Sequence, residues 1–161
     1  MNYTDVLAGQ AEWAAKNMAY NLDFIPADKL DWKPAPMANS ALDIVNHVVA
    51  AIRSMKSLLG EGSFEQPDFQ RPDFQRPDFA PATTAEEAKS LLIATAQEYA
   101  QALRAVKPED LGKNVNMPFG TLSLARVVSM PVIDLLHHHG QIAYIQTLLG
   151  DTEPHFDMSA I

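Results

Sequence analysis

Four stretches of this chain repeat their apolar residues every three or four positions, and none sustains an alternation of period two. On a helix that spacing gathers the apolar side chains into one stripe, and a stripe has to be buried against another. Four such stripes and no predicted strand point to an all-α protein, a four-helix bundle. At 161 residues the chain suits one domain, residues 1–161.

The first helix is expected from about Thr4 to about Phe24, with Thr4 as its cap and Leu7, Ala11, Ala14, Met18 and Leu22 on its buried side. "IPADKLDWKPAPMAN" then breaks the pattern with three prolines and reads as a connection, with Trp32 packing across the bundle end. The second helix opens at "SALD", where Ser40 and Asp43 fit a capping box, and it stops near Gly60. Its stripe is Leu42, Val45, Val49, Ile52 and Leu59. Thr84 and Glu87 fit a second box at the start of the third helix, which runs to about Val106. The fourth is expected from near Thr121 to Gly150, kinked at Pro131, where a backbone donor is missing.

Between the second and third helices, residues 64–81 carry a five-residue repeat. "PDF" occurs three times, and Phe64, Phe69, Phe74 and Phe79 are in phase. Proline at every fifth position forbids a continuous helix. The segment reads as a long crossover loop, or alternatively as an aromatic surface for a partner. The expected topology is an up-and-down-like antiparallel bundle with this crossover after the second helix.

Composition narrows the functional classes. The net charge is −8, which argues against a nucleic-acid binder, since such a protein carries a basic stripe. There is no cysteine, so disulfides and thiolate metal sites are excluded. No apolar run approaches the roughly 20 residues of a membrane span. The start of the chain lacks a basic segment followed by an apolar one, so a cytoplasmic protein is expected.

The fourth helix contains "IDLLHHHGQIAYIQTLLG", Ile133 to Gly150, with three of the chain's five histidines in a row. Adjacent helical residues diverge by about 100°, so these three do not act as one unit. Asp134 and His138, four apart, share a face; His137 and Gln141 flank them, and His139 points about 140° from Asp134. His138 falls on the apolar stripe formed by Val128, Leu135, Ile142, Ile145 and Leu149. A carboxylate and an imidazole facing a bundle core need partners, and a divalent ion satisfies both. His47 in the second helix is the one histidine available from the first three helices. His47, Asp134 and His138 make a two-histidine, one-carboxylate set with open positions, suited to zinc or nickel and also to ferrous iron or manganese. Read without a metal, Asp134 holds a buried His138 by a hydrogen bond. His155 reads as an exposed tail residue.

The stretch "LDWKPAPMANSALDIVNHV" and the motif "HHHGQ" together resemble the DinB-like superfamily, four-helix bundle proteins named for a damage-inducible bacterial member. The resemblance follows the order of elements over nearly the whole chain, and "HHxGQ" is its most specific part. Aligned on Gln141, His138 matches the family's last metal ligand and His47 its first, while Asp134 stands where the family usually has a third histidine. The resemblance implies a homodimer and a bound metal that activates a low-molecular-weight thiol for a small-molecule substrate. The expected function is therefore a metal-dependent enzyme of hydrolase or thiol-transferase type, with His137 and Gln141 supporting the metal ligands or touching substrate. The alternative is a non-catalytic helical binding or stress-response protein with a degenerate or purely structural metal site.

Overall fold

The computed structural model describes residues 2–60, 80–117 and 119–157. Its long elements, among the described residues, are helices α1 (Tyr3–Leu22), α2 (Ala41–Gly60), α3 (Ala85–Ala105) and α4 (Leu124–Leu148). A hairpin of β1 (Asn114–Met117) and β2 (Gly120–Ser123) precedes α4. The phenylalanine repeat lies outside the described residues, apart from its last positions.

The helix starts follow local capping chemistry. Asn2, rather than Thr4, caps α1: its side chain accepts from the Asp5 N–H, and the Asp5 carboxylate accepts from the Asn2 N–H. The predicted box at α2 is present, with Ser40 and Asp43 exchanging side chain-to-backbone bonds of 3.1 Å. At α3, Thr84 caps the Glu87 N–H as expected, but the Glu87 carboxylate reaches one residue further back, to the N–H and hydroxyl of Thr83. Ser123 caps α4, which therefore begins three residues later than predicted from Thr121. The helix is continuous through Pro131. The Tyr99 hydroxyl of α3 donates to the Val128 carbonyl in this region at 2.8 Å, and burial holds it protonated, well above the usual phenol range.

Two expectations need correction. The absence of any sheet is the first. Asn114–Met117 pairs antiparallel with Gly120–Ser123, with Val115 and Met117 facing the core. Four alternating residues are too few to stand out in the sequence, and the turn is closed by Gly120 at φ +134°, a conformation open to glycine. The second is helix direction. Asn46 bonds Ala82, and Lys56 meets Glu98, so α2 and α3 start at the same end and run parallel. Glu12 with Arg104 and Asp23 with Lys89 make α1 and α3 antiparallel. Tyr3 with Ala125 and Asn21 with Gln146 make α1 and α4 parallel. The order is thus up-down-down-up, not up-and-down. Two parallel helices of about 30 Å cannot be joined by a tight turn, which is the physical reason for the long connection after α2.

α1 packs against α3 and α4, and α2 packs against the same two, so α1 and α2 lie diagonally across the core. The predicted stripes of α1 and α2 are buried, Leu7, Ala11, Ala14, Met18 and Leu22 on α1 and Leu42, Val45, Val49 and Ile52 on α2, except Leu59, which is partly buried. Trp32 packs at the edge of this core. Leu135 and Ile142 are fully buried on α4, each contributing about 1.5–3 kcal/mol. Their burial fixes the rotation of α4 and so aims Asp134 and His138 toward α2. No helix among the described residues is long and apolar enough to cross a membrane.

Candidate metal centre

The α2–α4 contact brings His47, Asp134 and His138 together, with one potential ligand atom from each lying within 4.8 Å of the others. His138 Nε2 stands 3.4 Å from Asp134 Oδ1, and His47 Nε2 stands 4.0 Å from Asp134 Oδ2. The His47 and His138 rings meet edge to face at 4.9 Å. His138 is buried, Asp134 is partly covered and His47 is exposed, so the cluster lies at the bundle surface with one side open to solvent.

Gln141 organises the two histidines of α4. Its Oε1 lies 2.7 Å from His138 Nδ1, and its Nε2 lies 3.1 Å from His137 Nε2. An amide oxygen only accepts, so His138 carries a proton on Nδ1, and Nε2 is the nitrogen it turns toward Asp134. The amide nitrogen only donates, so His137 accepts at Nε2. Both flanking residues thus touch the cluster's hydrogen-bond chain.

The donor set fits a divalent ion. Asp134 Oδ2 is buried and has no hydrogen-bond partner among the described residues. His138 Nε2 and Asp134 Oδ1 face each other at 3.4 Å, and both are atoms of the kind that ligate a divalent ion. A buried acceptor without a hydrogen bond, as Asp134 Oδ2 is, costs roughly 1–3 kcal/mol, and a bound cation removes the cost. Ligands about 2.1 Å from a tetrahedral ion lie about 3.4 Å apart, the spacing already present between His138 and Asp134. The exposed His47 needs only a small side-chain adjustment to join them.

His139 points away from the cluster, as expected, but into the core rather than toward solvent. It is 7% exposed, and its Nε2 donates to Asn21 Oδ1. Asn21 in turn donates to Gln146, whose amide nitrogen donates to the Glu153 carbonyl of the C-terminal segment at 3.0 Å. Burial pushes the His139 imidazole below its ordinary pKa, so it is held as the neutral form. This chain of buried amides escaped the sequence reading; its one signal was polar Asn21 and Gln146 at positions that share the buried sides of α1 and α4. His155 is also corrected. It stacks on Phe24 with ring centroids 3.3 Å apart and pairs with Asp151 at 2.9 Å, so it packs down the tail instead of standing free.

Solved structures share the fold. A DinB-like protein of Bacillus subtilis superposes with a TM-score of 0.70 at 16% identity, covering 91% of this chain and 94% of its own. A conserved protein of Enterococcus faecalis gives 0.71 at 17% identity, covering 94% and 99%. No curated protein matches the sequence. The pattern that defines the DinB superfamily matches residues 10–142, a span that runs from α1 through the histidines of α4. The chain therefore belongs to the DinB superfamily, with Asp134 among its candidate ligands.

Proposed function

We propose that this protein is a metal-dependent enzyme of the hydrolase or thiol-transferase type, with His47, Asp134 and His138 holding one divalent ion. Zinc and nickel suit the donor set best. The observation that carries this reading is Asp134 Oδ2, a buried carboxylate oxygen with no hydrogen-bond partner among the described residues, beside a His138 whose Nδ1 is held by Gln141 and whose Nε2 faces the cluster. A divalent ion there supplies Lewis acidity, lowering the pKa of a water or thiol.

The chain's own groups divide the remaining work. Gln141 fixes the orientation and tautomer of His138, as outer partners of ligating imidazoles do. Asp134 brings a negative charge, which leaves the site less electrophilic than one built of three imidazoles. His137 stands beside the cluster with its Nε2 on the Gln141 amide, and it is exposed enough to meet a substrate. The open side next to His47 gives substrate its entry.

The test is calorimetric titration of untagged protein with zinc, nickel, manganese and ferrous iron, followed by elemental analysis. One ion per chain is expected, lost in His47→Ala and in His138→Ala. Binding should weaken on acidification, because ligating imidazoles must be deprotonated. A wild-type protein that binds none of the four at neutral pH refutes the metal site. Metal binding without thiol-dependent or hydrolytic turnover favours the non-catalytic alternative.

A further inference from the structure

A groove of about 430 Å³ runs along α4 beside the cluster. Pro34 and Asn39 of the α1–α2 connection form one wall, Gly140 and Tyr144 line the α4 side, and His137 and Gln141 belong both to the groove and to the cluster's hydrogen-bond chain. Its size lies within the range of small-molecule sites. Two features indicate what it takes. None of its lining residues is an aspartate, glutamate, lysine or arginine, in a chain where such residues make up 20% and the net charge is −8. And Gly140 sits inside α4, where glycine weakens a helix relative to alanine. A Cβ built on Gly140 meets nothing within 4 Å, so protein packing does not demand the glycine. Its missing side chain leaves space outside the protein, in the groove.

We propose that this groove is the specificity pocket of the metal site, holding an uncharged aromatic or alkyl group of the substrate over Gly140 and against the Tyr144 ring. The assignment rests on the metal-enzyme reading for its link to catalysis, but not for the binding itself. Walls without an aspartate, glutamate, lysine or arginine offer no permanent counter-charge to an ionised group, and a carboxylate ligand would also meet the acidic field of the chain. A ligand seated there reaches His137 and Gln141 with its polar end, which brings it to the side of the cluster.

The experiment is an amide-resolved NMR titration of metal-free protein with benzyl alcohol, benzoate and benzylamine. Benzyl alcohol should shift the amides of Gly140, Gln141 and Tyr144 saturably. The two charged analogues should bind at least about tenfold more weakly, a difference of about 1.4 kcal/mol. Gly140→Leu fills the groove and should weaken benzyl alcohol at least tenfold while leaving calorimetric zinc affinity within about threefold. Gly140→Ala, which keeps the fold safest, should raise the melting temperature by about 2–4 °C and weaken the alcohol by a smaller factor. Shifts confined to other surfaces, equal binding of the charged analogues, or unchanged affinity in Gly140→Leu would overturn the proposal. So would a change of sedimentation coefficient in Gly140→Leu, which would mark this face as a contact between copies of the chain. If wild-type protein binds benzyl alcohol here but no metal, the pocket stands and the metal reading falls.

Discussion

Asp134 and His138 face one another across a single turn of α4, with His138 Nε2 3.4 Å from Asp134 Oδ1 and the other carboxylate oxygen buried without a hydrogen-bond partner among the described residues. A buried carboxylate oxygen left without a hydrogen bond carries a cost that a bound cation removes. Replacing Asp134 by asparagine puts a donor where the carboxylate was. At pH 8, metal-free Asp134→Asn is expected to be more stable than wild type by about 1 kcal/mol, the worth of one satisfied buried group. Its metal affinity should fall by at least tenfold. Thermal unfolding with and without added zinc measures both, and a metal-free variant less stable than wild type would contradict the reading of this pair.

Gln141 bridges His138 and His137 without being a ligand itself. Gln141→Leu keeps the size of the side chain and removes both hydrogen bonds. The expected loss is about 10–100-fold in metal affinity, as for other groups that orient a ligating imidazole. The imidazole nitrogen shifts of His138 should also lose the signature of a single tautomer. An affinity within threefold of wild type would show that packing alone holds the ring.

His139→Ala separates the buried histidine from the ligand histidine. The variant leaves Asn21 Oδ1 without its donor in the core, so stability should drop by about 1–3 kcal/mol. Metal stoichiometry in the folded variant should stay at the wild-type value. Loss of the metal at temperatures where the variant remains folded would place His139 in the site.

The clasp between α1 and α3 predicts an acid dependence. Both Arg104 nitrogens bond the Glu12 carboxylate, at 2.9 and 3.0 Å, and this holds the Glu12 carboxyl below its usual range. A depressed carboxyl contributes stability that is present above its unfolded pKa and lost as pH falls through the folded one. Chemical denaturation should therefore show wild type above Glu12→Gln at pH 7 by less than about 1 kcal/mol, since the pair is partly solvated. The gap should begin to close near pH 4.5, the carboxyl's ordinary value, and vanish at lower pH. A gap that is constant with pH would assign the effect to packing.

Thr95 carries a buried hydroxyl on α3 with no hydrogen-bond partner among the described residues. Valine has the same shape and nearly the same helix propensity, so Thr95→Val removes the cost of desolvating that group. A gain of about 1 kcal/mol, or about 2–4 °C in Tm, is expected from calorimetry. A loss of stability would mean that the hydroxyl finds a partner, such as a bound water.

What the sequence alone determined is what short-range geometry encodes. The period of 3.6 set the faces of the helices, so Leu135 and Ile142 could be assigned to the core and Asp134 paired with His138 from their spacing alone. The Ser40–Asp43 box could be read because a cap is made within one turn. The placing of His47 beside that pair came from elimination among few histidines and from family resemblance, since nothing local to α2 says which helix it will face. Only the tertiary structure decided the parallel course of α2 and α3, the burial of His139 against Asn21, and the stacking of His155 on Phe24. Each of these joins residues far apart in the chain. A helix's pattern tells which side must be covered, but the partner is selected by packing all the stripes at once, and that choice is a property of the whole bundle.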